Sequence, residues 1–188
     1  MISSFYLKGE IMKKEEKFKK SIEEFIESLC DFCGIDKNDS NIKETPDRLY
    51  RMYKNELLTG YFKEPKDYIK TFDGISISNQ PVVIEGIPIK SLCSHHVLPF
   101  FGEATITLKY KEGAKVLGLS KFYRIVDNFA RKLQLQEALT QEIAKFLYTN
   151  LELSYIKVEI EAQHTCVGLR GVNVMGNKTK TIVCLGDE

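Results

Sequence analysis

The stretch SLCSHHVLPFFG, residues 91–102, places His95 and His96 side by side, with Cys93 just before them. Far along the chain, EAQHTCVG, residues 161–168, brings His164 and Cys166. All three histidines of the chain, and two of its five cysteines, fall in these two segments, C-x-H-H and H-x-C. Cysteine and histidine are the preferred ligands of zinc, and a Cys-x-x-His turn chelates readily. Five candidate groups exceed the four that a closed structural site takes, and the paired knuckles of zinc fingers are missing. A catalytic zinc takes three protein ligands and a water, which leaves spare histidines free to act as acid and base. The competing reading is that both thiols are small buried hydrophobes and the histidines satisfied core residues. It serves for any one of them and poorly for all five, since histidine occurs nowhere else. Spacing alone leaves open whether His95 or His96 is the ligand.

Cationic residues stand near these segments. Lys121 and Arg124 follow Gly118-Leu119-Ser120 at a strand-to-helix turn, and Arg170 follows Cys166 between Gly168 and Gly171. A helix start with nearby Lys and Arg, and glycine that lets backbone approach, suits phosphate, although a solvated basic face reads the same way. Gln136-Glu137 heads a later helix, where a Glu also favours the helix dipole. Cys30-Asp31-Phe32-Cys33 lies in a helical pattern without a second pair or a βαβ context, so helix packing is its expected role. Cys184 alternates with Ile182 in a terminal strand and is expected in the core.

The elements that must position these residues follow from periodicity. Phe18, Ile22, Phe25, Ile26 and Leu29 recur at helical spacing over 13–34, with Gly34 as the stop. A second helix is expected from Thr45-Pro46, with Thr as N-cap, to Gly60; residues 61–80 read as loop. From residue 81 the pattern turns to strands: PVVIEGIPIKSLC, then GEATITLKY with Ala104, Ile106 and Leu108 on one face. Two helices follow over 119–150, broken around 133–136, and then the strand YIKVEIEAQHTCVGLRG and a last strand KTIVCLG. Alternation would put Ile156, Val158, Ile160, Ala162, His164 and Cys166 on one face. The order indicates an α+β fold with an antiparallel sheet. The expected division is residues 1–12 as a disordered or upstream-annotated start, 13–80 as a helical segment and 81–188 as the catalytic domain. Translation from Met12 is suggested by Lys8-Gly9-Glu10, whose codons can read as a purine-rich ribosome-binding run.

The chain has 188 residues, 43% hydrophobic and 28% charged, enough for a sizeable core. A net charge of +1 lacks the basic excess of nucleic-acid binders, so no nucleic-acid partner is expected. No run approaches the ~20 apolar residues of a membrane span, and the start has no apolar signal region. Five cysteines at irregular spacing argue against a disulfide framework. A cytoplasmic protein with free thiols is the expectation.

SLCSHHVLPFFG, VLGLSKFYRIVDNFARKLQLQEALTQEIA and IEAQHTCVGLRGV resemble the three signature blocks of GTP cyclohydrolase I. ETPDRLYRMYKNELLTGY and NKTKTIVCLG resemble its N-terminal helical segment and C-terminal strand, so the likeness covers residues 20–186. The resemblance implies a tunnelling fold: an antiparallel four-stranded sheet with two helices on one face, preceded by a helical segment. It implies a homo-oligomer, typically a decamer of two pentamers, with active sites at subunit interfaces. The reaction it implies opens the imidazole ring of GTP, releases C8 as formate and yields 7,8-dihydroneopterin triphosphate, from which folate, tetrahydrobiopterin and deazaguanine synthesis start.

Carried over by position, the resemblance makes Cys93, His96 and Cys166 the zinc ligands, and so chooses His96 over His95. It makes His95 and His164 the proton-transfer residues around C8 and N7. Glu137, with Gln136 beside it, would recognise guanine, and Ser120, Lys121, Arg124 and Arg170 would hold the triphosphate or ribose. Ser94 stands where the family often has Glu, and Ala138 where it commonly has Arg. The alternative function is a non-catalytic purine- or pterin-binding protein of the same fold, in which loss of the proton-transfer histidines would be expected; both are present.

Overall fold

Strand alternation in the second half of the chain builds the layer on which the helices of residues 119–150 pack. The computed structural model describes residues 3–73 and 80–187, so the middle of the expected 61–80 loop lies outside the described residues. Two compact units divide at Glu56/Leu57.

The first unit holds α1 (Ser3–Cys33) and α2 (Thr45–Met52). Helix α1 begins well before residue 13, where its apolar periodicity starts. Ile22, Ile26 and Cys30 are buried at helical spacing, and Phe18 lies against the rings of Tyr50 and Tyr53. Glu15 accepts from Tyr50 and Lys54, and Lys19 pairs with Asp47 at 3.0 Å. Gly34, at φ +67°, ends α1, with the Ile35 amide donating to Cys30 O at 2.9 Å and the Gly34 amide to Asp31 O. This is the left-handed cap that glycine makes without a Cβ penalty. Of the C-x-x-C pair, Cys30 is buried and Cys33 exposed. Thr45 is not the N-cap of α2: it lies in the first turn after Glu44, and its hydroxyl reaches back to Asn41 O. Nor does α2 run to Gly60; it passes into a π-helical turn at Tyr53–Leu57.

The second unit opens with short 3₁₀ turns at Thr59–Tyr61 and Pro65–Tyr68 and then β1 (Thr71–Phe72). It continues through β2 (Val82–Cys93), β3 (Pro99–Tyr110), β4 (Val116–Leu117), α3 (Leu119–Ala130), β5 (Leu133–Gln134), α4 (Gln136–Asn150), β6 (Leu153–His164), α5 (Thr165–Gly168) and β7 (Thr179–Gly186). Residues 57–73 belong here because they bond into it. The Gly60 amide donates to Arg131 O at 3.0 Å, Asn128 Nδ2 to Lys63 O at 3.1 Å, and the Gly118 amide to Lys70 O at 3.2 Å. A Cβ on Gly60 would lie 2.0 Å from Asn128 O, which explains a glycine where sequence suggested only a helix stop.

The main sheet runs β5-β2-β3-β6-β7. The four long strands are antiparallel, as expected, but the expected four-stranded sheet gains a fifth strand: β5 pairs parallel to the end of β2, Leu92 with Leu133 and Cys93 with Gln134. A separate ribbon joins β1 and β4. Ala104, Ile106 and Leu108 of β3 and Ile156, Val158, Ile160 and Ala162 of β6 all face the core. Against them pack Phe122, Ile125, Val126 and Phe129 of α3 and Leu139, Ile143 and Leu147 of α4. The alternate positions, among them Glu103, Glu159 and Glu161, face outward, and Glu161 pairs with Lys178 and Glu159 with Lys180.

Two expectations fail here. Cys166 is not on the strand face, because β6 ends at His164 and the chain turns into α5. Cys184 is exposed rather than core, because β7 turns Val183 and Leu185 toward the helices and Ile182 and Cys184 away.

Gly102 is the tightest point of the β3–β6 ladder: a Cβ there would lie 2.0 Å from Glu161 O. Gly102→Ala is expected to separate the strands and cost about 1–3 kcal/mol. Thermal unfolding checks this, and an unchanged melting temperature would contradict it.

Candidate functional site

Strand register gathers the chemistry at one end of the sheet. Leu92 pairs with Pro99 across the β2–β3 hairpin, and Phe100 pairs with His164 across β3 and β6. The hairpin turn therefore carries Cys93, Ser94, His95 and His96 to the end of the sheet where β6 delivers His164 and α5, directly after it, Cys166. The turn is tight: the Cys93 amide donates to Leu98 O and the Val97 amide to Cys93 O, both at 2.8 Å. Val97 lies at φ +55°, a left-handed conformation that a β-branched residue adopts only under constraint. On the far side, the Thr165 hydroxyl donates to Pro99 O at 2.6 Å, tying α5 to the start of β3.

Cys93, His96 and Cys166 each offer a ligand atom, and these atoms lie within 4.8 Å of one another. Ligand bonds of about 2.0–2.3 Å to a tetrahedral ion set the atoms about 3.4–3.8 Å apart, so a closure of roughly 1 Å suffices. Two thiols and an imidazole form a donor set that suits zinc. Burial, and after it the neighbouring Cys93 sulfur, push the Cys166 thiol above its ordinary pKa, while Arg170 acts the other way. A cation between the sulfurs would relieve that penalty by stabilising both thiolates.

The flanking residues take distinct positions. His95 Nδ1 is 3.9 Å from Cys93 Sγ, so it borders the cluster. Arg170 Nη1 lies 2.8 Å from His96 Nε2, which brings this cation to the cluster itself. The His164 ring stacks on Phe100 at 4.8 Å between centroids, 11° from parallel, and its Nε2 lies 2.7 Å from Gln136 Oε1. Burial lowers the His164 pKa below the usual histidine value, and the nearby Glu137 carboxylate partly opposes this. Glu137 is exposed in the first turn of α4, next to Gln136, which is buried.

Not every sequence candidate converges. Ser120 and Arg124 are exposed and Lys121 half-buried at the start of α3. Among the described residues, no hydrogen bond or ion pair joins them to the Cys/His cluster. Gln136 spends its amide inside the fold rather than presenting it to solvent. Two contributors were missed by sequence reasoning. Asn177 grips the His164 backbone, accepting from its amide at 3.0 Å and donating to its carbonyl at 3.1 Å. Phe100 supplies the stacking surface. Strand alternation marks Phe100 as inward, but only the register sets it opposite His164.

With the geometry in hand, comparison with known proteins is direct. The family model described as GTP cyclohydrolase I matches residues 22–188. The GTP cyclohydrolase 1 of Caldanaerobacter subterraneus subsp. tengcongensis is 39% identical over 93% of this chain and 89% of that protein. Those of Campylobacter jejuni (strain RM1221) and Clostridioides difficile (strain 630) are 37% and 36% identical, over 89% and 92% of this chain and 87% of each relative. Among solved structures, an archaeosine synthase QueF-like in the apo form overlaps 59% of this chain with a TM-score of 0.48 at 18% identity, too loosely to carry an argument. By family match and by relatives aligned over most of their length, this chain belongs to the GTP cyclohydrolase I family.

Proposed function

We propose that this protein is a zinc-dependent hydrolase that converts GTP and water to 7,8-dihydroneopterin triphosphate and formate. The observation that carries the reading is the convergence of Cys93, His96 and Cys166, with His95 and His164 beside them, in a chain of this family. The sheet with two helices on one face supports a tunnelling fold for residues 81–188.

Cys93, His96 and Cys166 would hold the zinc, which when bound supplies Lewis acidity and lowers the pKa of a water toward ~7. The protein's own groups do the rest. The Glu137 carboxylate accepts two hydrogen bonds, from guanine N1–H and from the exocyclic amine; adenine offers neither in that arrangement. His95 and His164 move protons at N7 and around C8, since a histidine both gives and takes a proton near neutral pH. N7 protonation matters because C8 is a poor electrophile. Arg170, already against His96, lies where it can reach the ribose or phosphates, with Ser120, Lys121 and Arg124 as further phosphate ligands. The last three make no bond to the cluster among the described residues, which favours a site completed between copies in a homo-oligomer; the resemblance makes that a decamer of two pentamers. Free thiols and the ligand role of two of them fit a reducing cytoplasm. Among the described residues, no helix is long and apolar enough to cross a membrane.

Incubation of the purified protein with GTP and zinc is expected to release formate and, after oxidation, a fluorescent neopterin. No turnover with zinc bound would overturn the reading. His95→Ala is expected to lower kcat by about 10²–10⁴-fold with zinc stoichiometry intact; loss of zinc would instead make His95 a ligand. Glu137→Ala is expected to raise the KM for GTP by about 10- to 100-fold, two charge-assisted hydrogen bonds being lost. An unchanged KM would remove Glu137 from guanine recognition.

A further inference from the structure

Gln136 is the first residue of α4 and only 1% exposed. Its amide nitrogen lies 3.0 Å from Ile160 O and from Thr179 O and 3.2 Å from Thr181 Oγ1, three acceptors around two hydrogens. Two of these partners are backbone carbonyls, which can only accept, so the amide cannot be turned end for end. The hydroxyls around it are ordered by the same logic. Thr140 Oγ1 donates to Gln136 O at 2.7 Å, and the Thr140 and Thr181 oxygens are 2.6 Å apart. With the Thr140 hydrogen on the Gln136 carbonyl, Thr181 donates to Thr140, and the two Gln136 hydrogens are shared among the two carbonyls and the Thr181 oxygen.

The amide oxygen of Gln136 is thereby aimed at His164 Nε2, 2.7 Å away. An amide oxygen only accepts, so Nε2 carries the hydrogen and the lone pair of the neutral imidazole resides on Nδ1. Two further contacts remove the ring's remaining freedom: the stack on Phe100 fixes its plane, and Asn177 holds its backbone. A buried amide with both hydrogens engaged has none to offer guanine.

We propose that Gln136 is a positioning residue whose buried amide locks His164 in the Nε2–H tautomer, so that His164 exchanges protons with substrate through Nδ1. The catalytic half of this rests on the reading of His164 as a proton-transfer residue of a GTP cyclohydrolase; the tautomer lock does not. Proton exchange at Nδ1 leaves the Nε2–H···O bond to Gln136 intact throughout, and a charged imidazolium strengthens it. A free ring would divide itself between two tautomers, only one of which presents a base.

The test uses full-length protein labelled with ¹⁵N-histidine. With only three histidines in the chain, solid-state NMR resolves each ring, and the spectrum of His164→Gln identifies the third by difference. The expected wild-type result is a proton on His164 Nε2. Gln136→Met keeps the length and removes the acceptor. It is expected to spread the proton over both nitrogens and to lower kcat by about 10- to 100-fold, with the KM for GTP and zinc content near wild type. A wild-type His164 whose Nε2 carries no proton would overturn the proposal, and so would a Gln136→Met enzyme with wild-type kcat or with its loss confined to KM. If Gln136→Met does not fold, the wild-type spectrum still decides. Failure of the functional reading shows separately, as a wild-type protein that makes no neopterin from GTP, and in that case too the spectrum tests the lock.

Discussion

The pairing of Leu92 with Pro99 and of Phe100 with His164 fixes where every reactive group of the second unit can go. A ladder shifted by one residue would turn each side chain to the other face of the sheet, burying Glu103 and Glu161 and exposing the Ile106–Val158 layer. The core therefore enforces the register, and the register enforces the site: the β2–β3 turn and the end of β6 are held at the same end of the sheet by many buried contacts far from any chemistry. Gly102 marks how tight that coupling is, because no side chain fits between β3 and β6 at that point.

Around this frame, polar groups do what packing cannot, which is to set the direction of individual side chains. The Thr165 hydroxyl hooks α5 onto Pro99 and so brings Cys166 back toward the hairpin after β6 has ended. Asn177 holds His164 by its backbone and Gln136 holds it by its ring. Where such bonds are buried, as at Gln136, they favour one arrangement, since an alternative leaves a donor or acceptor unpaired away from water. The left-handed Val97 belongs to the same economy: a strained residue is held by flanking hydrogen bonds so that Cys93 and His96 can leave one short turn toward one point.

Much of this was legible in the sequence, for identifiable reasons. Alternation from Ala104 to Leu108 and from Ile156 to Ala162 reported the buried face correctly, because both strands are central and covered by helices on one side only. The two Cys/His segments stood out since histidine occurs nowhere else. The choice of His96 over His95 as a ligand came from family resemblance; His96 is the histidine with a ring nitrogen within 4.8 Å of both sulfurs, Cys93 and Cys166. What was not legible has a common cause. The strands β1, β4 and β5 are two residues long, too short for any periodicity. Cys184 alternates as a core residue would, but alternation in an edge strand does not say which face is covered. Cys166 continues the alternation in sequence after the chain has left the sheet, a turn decided by a hydroxyl bond to a distant strand. Gln136 reads only as the head of a helix beside Glu137, and the tertiary fold reveals its burial.

Two thiolates and one imidazole, from a mid-chain hairpin and from the turn after β6, are held to share one zinc ion. X-ray absorption at the zinc edge on the purified, zinc-loaded protein measures this directly. The account predicts a first shell of two sulfurs at about 2.3 Å and nitrogen or oxygen ligands at about 2.0–2.1 Å, with one sulfur lost on Cys166→Ser. A shell without sulfur, or one of four sulfurs, would contradict it.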